Sequence, residues 1–152
     1  TLIFAPHGPS YDRFAPGAHA PTTVCWGYEN RTAAIRIPGG SPAARRIEHR
    51  VAGGDINPYL MLATVLGAAM VGIEDQMEPP APITGNAYEI ADLPQLADSW
   101  SAAIDVFEAD PLIARILPEM AIQNLVMTKR QELRLFAQRP KETHWLTLLE
   151  AV

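Results

Sequence analysis

One cysteine, Cys25, is present in 152 residues, so no disulfide can form within the chain and a reducing compartment, the cytoplasm, is the expected location. Long apolar runs are missing too. The most hydrophobic stretch, PYLMLATVLGAAMVGI from Pro58 to Ile73, ends at Glu74 and Asp75 and falls short of the ~20 residues needed to span a bilayer. No basic segment leading into an apolar one opens the chain, so no secretory leader is read there, and a start at Thr1 rather than Met is expected of a fragment or a processed chain. The glycine patterns GxxxxGK[ST] and GxGxxG do not occur, which excludes the nucleotide-binding machinery built on them. His7, His19, His49 and His144 show no HxH or HxxxH spacing, which argues against a self-contained metal site.

What is present describes one globular domain or a piece of one: 48% apolar residues, with 14 prolines and 10 glycines that imply many turns. The formal net charge of −5 hides a division. Residues 1–50 carry six Lys/Arg against three Asp/Glu, whereas residues 51–152 carry six against fourteen. The two parts are expected to do different work.

The front third reads as loops and strands. Residues 5–21, APHGPSYDRFAPGAHAP, hold four prolines and two glycines, too many for a helix interior, and loops of this length usually have a task. TTVCWGY, AAIRIPG and RRIEHRV have the β-branched, aromatic or alternating character of short strands. If residues 46–51 are a strand, Arg46, Glu48 and Arg50 share one face and Ile47, His49 and Val51 the other. Arg31 and Arg36 have opposite parity, and the sequence leaves their relative direction open. Beyond Asn57, an N-cap followed by Pro58 at the first helical position, the chain reads as helical. The apolar run from Pro58 is expected to be a helix buried on most sides. A Pro-rich connection (78–94) follows, then helices over Pro94 to Ala109, Pro118 to Gln138 and, last, about Lys141 to Ala151. The expected fold class is α+β, with antiparallel strands and a substrate loop in residues 1–54 and helices in 55–152.

Between Glu29 and Arg50 lie five arginines, Arg31, Arg36, Arg45, Arg46 and Arg50, and no lysine. They could be a solvated basic face balanced by Glu29 and Glu48. They could instead hold an anion, because the planar guanidinium fork binds phosphate or carboxylate bidentately and each charge-assisted hydrogen bond contributes roughly 1.5 to 3 kcal/mol. A small phosphate ligand fits better than nucleic acid, since the chain is acidic overall and no stacking aromatics are interleaved with the arginines. Glu48 reads either as an ion-pair partner or as a ligand of a hard cation such as Mg²⁺. Cys25, the tryptophans and the methionines read as packing residues.

NRTAAIRIP (30–38), SPAARRIEHR (41–50) and DINPYL (55–60), preceded by SYDRFAPGAHAP (10–21), together resemble the carboxy-terminal part of the glutamine synthetase catalytic domain, and the resemblance extends over essentially all 152 residues. It implies that Arg13 binds the carboxylate of glutamate and that Arg50 binds glutamate or the transferred phosphoryl group. Arg31, Arg36 and Arg46 would hold ATP phosphates or the developing phosphoryl charge, and Glu48 would ligate one divalent metal, Mg²⁺ or Mn²⁺. Arg31 and Arg50 are the implied catalytic residues, to which His19 is added on its own chemistry. The implied reaction has ATP phosphorylate the glutamate side chain, after which an amine displaces phosphate, with the protein contributing positioning and electrostatics. A homo-oligomer of stacked rings is implied as well, with no nucleic acid and no membrane as partners.

Three departures narrow this expectation. Where ammonia-using relatives carry a glutamate in a P-G-x-E-A-P loop, this chain reads PGAHAP with His19 in that place. A carboxylate ~4 Å from a cation contributes up to about 4 kcal/mol at an effective dielectric near 20, and a histidine cannot supply that attraction to ammonium. It could act as a general base towards an incoming ammonium group, the reference pKa of histidine being about 6.5. The PGAHAP form, PAPITGN (80–86) and ETHWLTLLEAV (142–152) resemble the γ-glutamylpolyamine synthetase branch, which joins glutamate to organic amines. Second, Ala43 stands where bacterial ammonia enzymes have a lysine. Third, Tyr88 lies near the place of a tyrosine adenylylated in some bacterial relatives, but its flanks, NAYEI, match poorly and the modification is not expected. The sequence therefore implies an ATP-dependent γ-glutamyl amide ligase, with an ammonia-using glutamine synthetase or a non-catalytic anion-binding and assembly fragment as alternatives.

Overall fold

The computed structural model describes residues 1–15 and 17–149, without the side chain of Thr147. Pro16 of the PGAHAP motif, the last two residues of the expected terminal helix, Glu150 and Ala151, and Val152 lie outside the described residues.

The architecture is α+β, with a small sheet in the front third and helices after it. Strands β1 (Trp26–Tyr28), β2 (Ile35–Ile37) and β3 (Glu48–His49) form a sheet in the order β1-β2-β3. The all-antiparallel expectation holds for β2 with β3, whereas β1 pairs parallel with β2. Residues 29–34 make that crossover in unusually few residues. Glu29 takes a left-handed φ of 52°, and the Asn30 carboxamide oxygen accepts from the Thr32 amide at 2.9 Å and hydroxyl at 2.7 Å, folding the loop on itself. The front loop is ordered by a 3-10 turn, Gly8–Arg13, whose buried Ser10 donates a short hydrogen bond to the Asp55 carboxylate.

Helix α1 (Pro58–Glu74) begins as its sequence dictates: the Asn57 side chain accepts from the amides of Tyr59 and Leu60 at 3.0 and 3.1 Å. It ends in a Schellman arrangement with Gln76 left-handed at φ 52°, the Met77 amide reaching the Gly72 carbonyl and the Gln76 amide that of Ile73. The expectation of burial on most sides is not met. Among the described residues Thr64 and Val71 are buried, while Tyr59 is 83% and Ile73 77% exposed and Leu62, Leu66 and Met70 are exposed too. An apolar sequence states that a helix needs cover, but not where the cover comes from; here it is supplied on one side, chiefly by α3 (Ile113–Ile116). Gly67 makes that approach possible, because a Cβ there would lie 2.4 Å from Ile116 Cγ2. Asp75 locks the junction by a bidentate pair with Arg115, at 2.5 and 2.9 Å.

Helix α2 (Trp100–Ala109) starts six residues later than the spacing suggested. Residues 94–96 are extended instead, bridging to Thr22–Val24 through Val24 to Pro94 at 2.7 Å and Leu96 to Thr22 at 2.8 Å, and Ser99 caps the helix. It packs on α4 (Glu119–Ala137), and a 3-10 turn, Lys141–Thr143, leads into α5 (His144–Leu148). The main core joins Leu2 and Ile3 to Trp100, Ile104, Phe107, Val126 and Phe136, with Trp100 edge-on to Phe136 at 5.5 Å. Cys25 is buried in a second cluster with Ala33 and Ala87, as its packing role predicted. Among the described residues no helix is long and apolar enough to cross a membrane.

Ile104 is fully buried. Replacing it by alanine is expected to lower unfolding free energy by about 2 to 5 kcal/mol, measured by urea titration at constant m-value.

Candidate functional site

Antiparallel register sets Arg36 of β2 opposite Glu48 of β3, so their side chains emerge on one face of the sheet. Arg36 Nη1 lies 3.0 Å from Glu48 Oε2, and Arg36 Nη2 lies 3.0 Å from Glu29 Oε2. Glu48 Oε1 meets Arg50 Nε at 3.2 Å. Glu29 also accepts a short hydrogen bond from the Gly39 amide. The result is an alternating row, Glu29, Arg36, Glu48, Arg50, whose charges cancel. The hydrogen bond to Glu29, together with the attraction of Glu48, raises the Arg36 pKa further above its ordinary value. Two guanidinium nitrogens, Arg36 Nε and Arg50 Nη1, are buried without an acceptor among the described residues. Such donors are rare in native structures, and an anion would satisfy them.

This row differs from the strand-parity expectation in one member. Glu48 and Arg50 do converge, but Arg46 is exposed and donates to the Ala44 carbonyl at 3.3 Å, and Arg36 is the second cation on Glu48. The strand pairing explains the change. Continuing the register of Arg36 with Glu48 would set Pro38 opposite Arg46, and proline has no N–H to extend the ladder. β3 is therefore two residues long, and Arg45 and Arg46 follow a 3-10 turn at Pro42–Ala44.

The other predicted residues approach from loops. Arg13, at the end of the 3-10 turn, donates to the Val51 and Ala52 carbonyls at 3.2 and 3.3 Å, directly after Arg50. Gly53 leaves room beside that guanidinium: a Cβ there would crowd the ends of the Asp55 and Arg13 side chains. His19 is exposed, with a left-handed φ of 61°, and its carbonyl accepts from Arg50 Nη2 at 3.5 Å. Arg31 is exposed in the 29–34 loop and borders a groove of about 350 Å³ with Tyr28, Asn30, Ile83 and Gly85. The structure thus brings Arg13, Arg36, Glu48, Arg50 and the His19 backbone around one strand, and leaves Arg31 and Arg46 at the surface.

Sequence reasoning missed the anchoring of Glu29 on Gly39, the close quarters at Gly53, and the hydrogen bond of the Tyr88 hydroxyl, which donates to the Ala20 carbonyl at 2.9 Å. Only the double glycines hinted at Gly53; a contact spanning 68 positions, as between Tyr88 and Ala20, leaves no local signal. Larger hollows of about 410 Å³ lie elsewhere, one at Trp100 and Trp145 and one at His7 and Lys129, and neither is lined by any of these arginines. Charge and unsatisfied donors, rather than volume, locate the candidate site.

Among the described residues no group of three or more His, Cys, Asp or Glu could hold a metal ion. Glu48 alone does not make a metal site, and both its oxygens already face guanidinium groups. On the opposite side of the strand His49 stacks on Phe4 at 4.1 Å between centroids.

Residues 1–147 match the family described as the glutamine synthetase catalytic domain. Relatives include a γ-glutamylethanolamide synthetase of Streptomyces coelicolor, 39% identical over 90% of this chain and 29% of the relative. A γ-glutamylputrescine synthetase of Escherichia coli is 36% identical over 93% of the chain and 30% of the relative. A glutamine synthetase of Pyrococcus abyssi is 36% identical over 87% and 31%. The chain spans about three-tenths of the length of these relatives.

Desolvation lowers the pKa of His49; desolvation, then Lys129, lowers that of His7. Both imidazoles protonate more readily in the unfolded chain, so their contribution to stability is full above about pH 6.5 and is lost as pH falls towards the folded values. Urea unfolding of the 152-residue chain is expected to give lower stability at pH 5.5 than at 7.5, with a smaller loss for His49→Leu.

Proposed function

The chain belongs to the glutamine synthetase catalytic-domain family, and from that premise we propose that the whole protein is an ATP-dependent ligase joining glutamate to an amine larger than ammonia. The observation that carries this reading is the Arg36–Glu48–Arg50 row with its two unsatisfied guanidinium nitrogens, set beside a loop that presents histidine, His19, rather than glutamate. In the reaction, a side-chain carboxylate oxygen of glutamate attacks the γ-phosphorus of ATP and ADP leaves. The amine nitrogen then attacks the acyl carbon of the γ-glutamyl phosphate, phosphate departs, and the surplus proton on nitrogen passes to a base.

In this reading Arg13 and Arg50 receive the glutamate carboxylates, and Arg36 and Arg50 oppose the charge that develops on the transferred phosphoryl group. Arg31 and Arg46, exposed and without a carboxylate partner among the described residues, are available to ATP phosphates. His19 is the base. Glu48 keeps the two arginines apart and aimed, and would give one oxygen to a Mg²⁺ or Mn²⁺ ion whose remaining ligands are not among the described residues. The likeness to a γ-glutamylethanolamide and a γ-glutamylputrescine synthetase supports an organic amine as the nucleophile. An ammonia-using glutamine synthetase is the second reading, favoured by the 36% identity to the Pyrococcus abyssi enzyme. A homo-oligomer is proposed from family membership.

Phosphate release by the full-length protein is expected to be faster with glutamate plus a polyamine or monoamine than with glutamate plus ammonium. Equal or better use of ammonium would reject the amine reading. Arg50→Ala should lower turnover at least about 100-fold, the scale of losing one donor to a developing anion, while size-exclusion chromatography shows unchanged assembly. Retained activity would remove Arg50 from the site.

A further inference from the structure

We propose that Tyr88 is a positioning residue for the amine end of the site, its hydroxyl holding the Ala20 carbonyl and with it the backbone of His19 beside Arg50. The proposal rests on the reading of His19 as the base that faces the amine.

The segment Gly17–Ala20 needs such a hold. Gly17, Ala18 and His19 are exposed, and Gly17 and His19 both adopt left-handed backbone, at φ 81° and 61°. Left-handed backbone is uncommon for any residue but glycine, although histidine adopts it more readily than most, and it persists where the surroundings specify it. The contacts available are few: the Ala18 amide donates to the Ala15 carbonyl at 3.1 Å, and Arg50 Nη2 reaches the His19 carbonyl at the long distance of 3.5 Å. The bond from Tyr88 to Ala20, at 2.9 Å, is the shortest of these. It falls where the chain passes from the exposed segment into buried Ala20 and Pro21.

Tyr88 is itself well anchored. It lies in the 3-10 turn Ala87–Glu89, where Asn86 Oδ1 accepts from the Tyr88 amide at 3.2 Å and Ala87 is buried against Cys25 and Ala33. The Ala87 amide donates to Thr32 Oγ1 at 2.9 Å, and Asn30 Nδ2 donates to the Gly85 carbonyl at 2.9 Å. Both partners belong to the loop that carries Arg31. Tyr88 therefore ties the His19 segment to the Arg31 loop, as Arg50 ties it to β3. The hydroxyl is the working group, since phenylalanine keeps the ring and loses the donor. With Tyr88 38% exposed, Tyr88→Phe is expected to fold normally.

The test uses the full-length protein and its Tyr88→Phe variant, with steady-state kinetics in which ATP, glutamate and the amine are varied in turn, and hydrogen exchange of the peptide spanning residues 15–22. The variant is expected to show a KM for the amine raised about five-fold, the scale of one net hydrogen bond, with the ATP and glutamate KM values unchanged. Exchange in 15–22 should speed up by a similar factor while residues 26–37 stay as in the wild type. Unchanged exchange in 15–22, or an unchanged amine KM, would overturn the proposal. Parallel rises in all three KM values with a lower melting temperature would also overturn it, as the mark of a general structural role. If the wild-type protein prefers ammonium, the amine reading fails on that result alone; the exchange measurement and the KM for ammonium then decide the role of Tyr88.

Discussion

The carboxylate of Glu48, shared between Arg36 and Arg50, is the interaction on which the rest of the candidate site depends. Without it, two guanidinium groups, one on β2 and one just past the end of β3, would repel each other. With it, each arginine is held by some of its nitrogens and keeps others free for an incoming anion. Glu29 extends the same logic by fixing the far side of Arg36. A neutral row of alternating charges thus holds its guanidinium donors in fixed directions, which is what the proposed binding of phosphoryl or carboxylate oxygens requires.

The surrounding fold serves that row. The crossover of residues 29–34 brings β1 and β2 side by side, the two-residue β3 aligns Glu48 with Arg36, and Arg13 clasps the carbonyls that follow Arg50. The helices contribute the core, in which Trp100 and Phe136 meet Leu2 and Ile3 from the start of the chain. Loop 29–34 and the turn at Ala87 are joined through Thr32 and Asn30, so the Pro-rich connection acts as a brace for the sheet rather than as a spacer.

Much of the fold was legible before the structure. Asn57-Pro58 announces the start of α1 and an apolar run fills it; charged outer faces mark α2 and α4, and isolated β-branched segments mark the strands. These are local signals, carried by caps and periodicity. The errors are non-local. Pro94 to Ser99 has helical spacing, yet its backbone hydrogen bonds go to residues 22–24, because a sheet-like bridge was available there. α1 is as apolar as a buried helix, but burial is a property of its neighbours, and the described residues cover one side of it.

The sequence by itself determined the family, through the order and spacing of its motifs, and on that resemblance it named Arg13, His19, Arg31, Arg36, Arg46, Glu48 and Arg50 as the candidate site residues. Tertiary structure alone decided which arginine would join Glu48 and Arg50. Parity along one strand pointed to Arg46, but pairing between strands ended at Pro38 and delivered Arg36 instead. It also decided that Tyr88 would reach Ala20 across 68 positions. The physical reason is the same in both cases: hydrogen bonds between distant segments are fixed by register and packing, which exist only once the whole chain has folded.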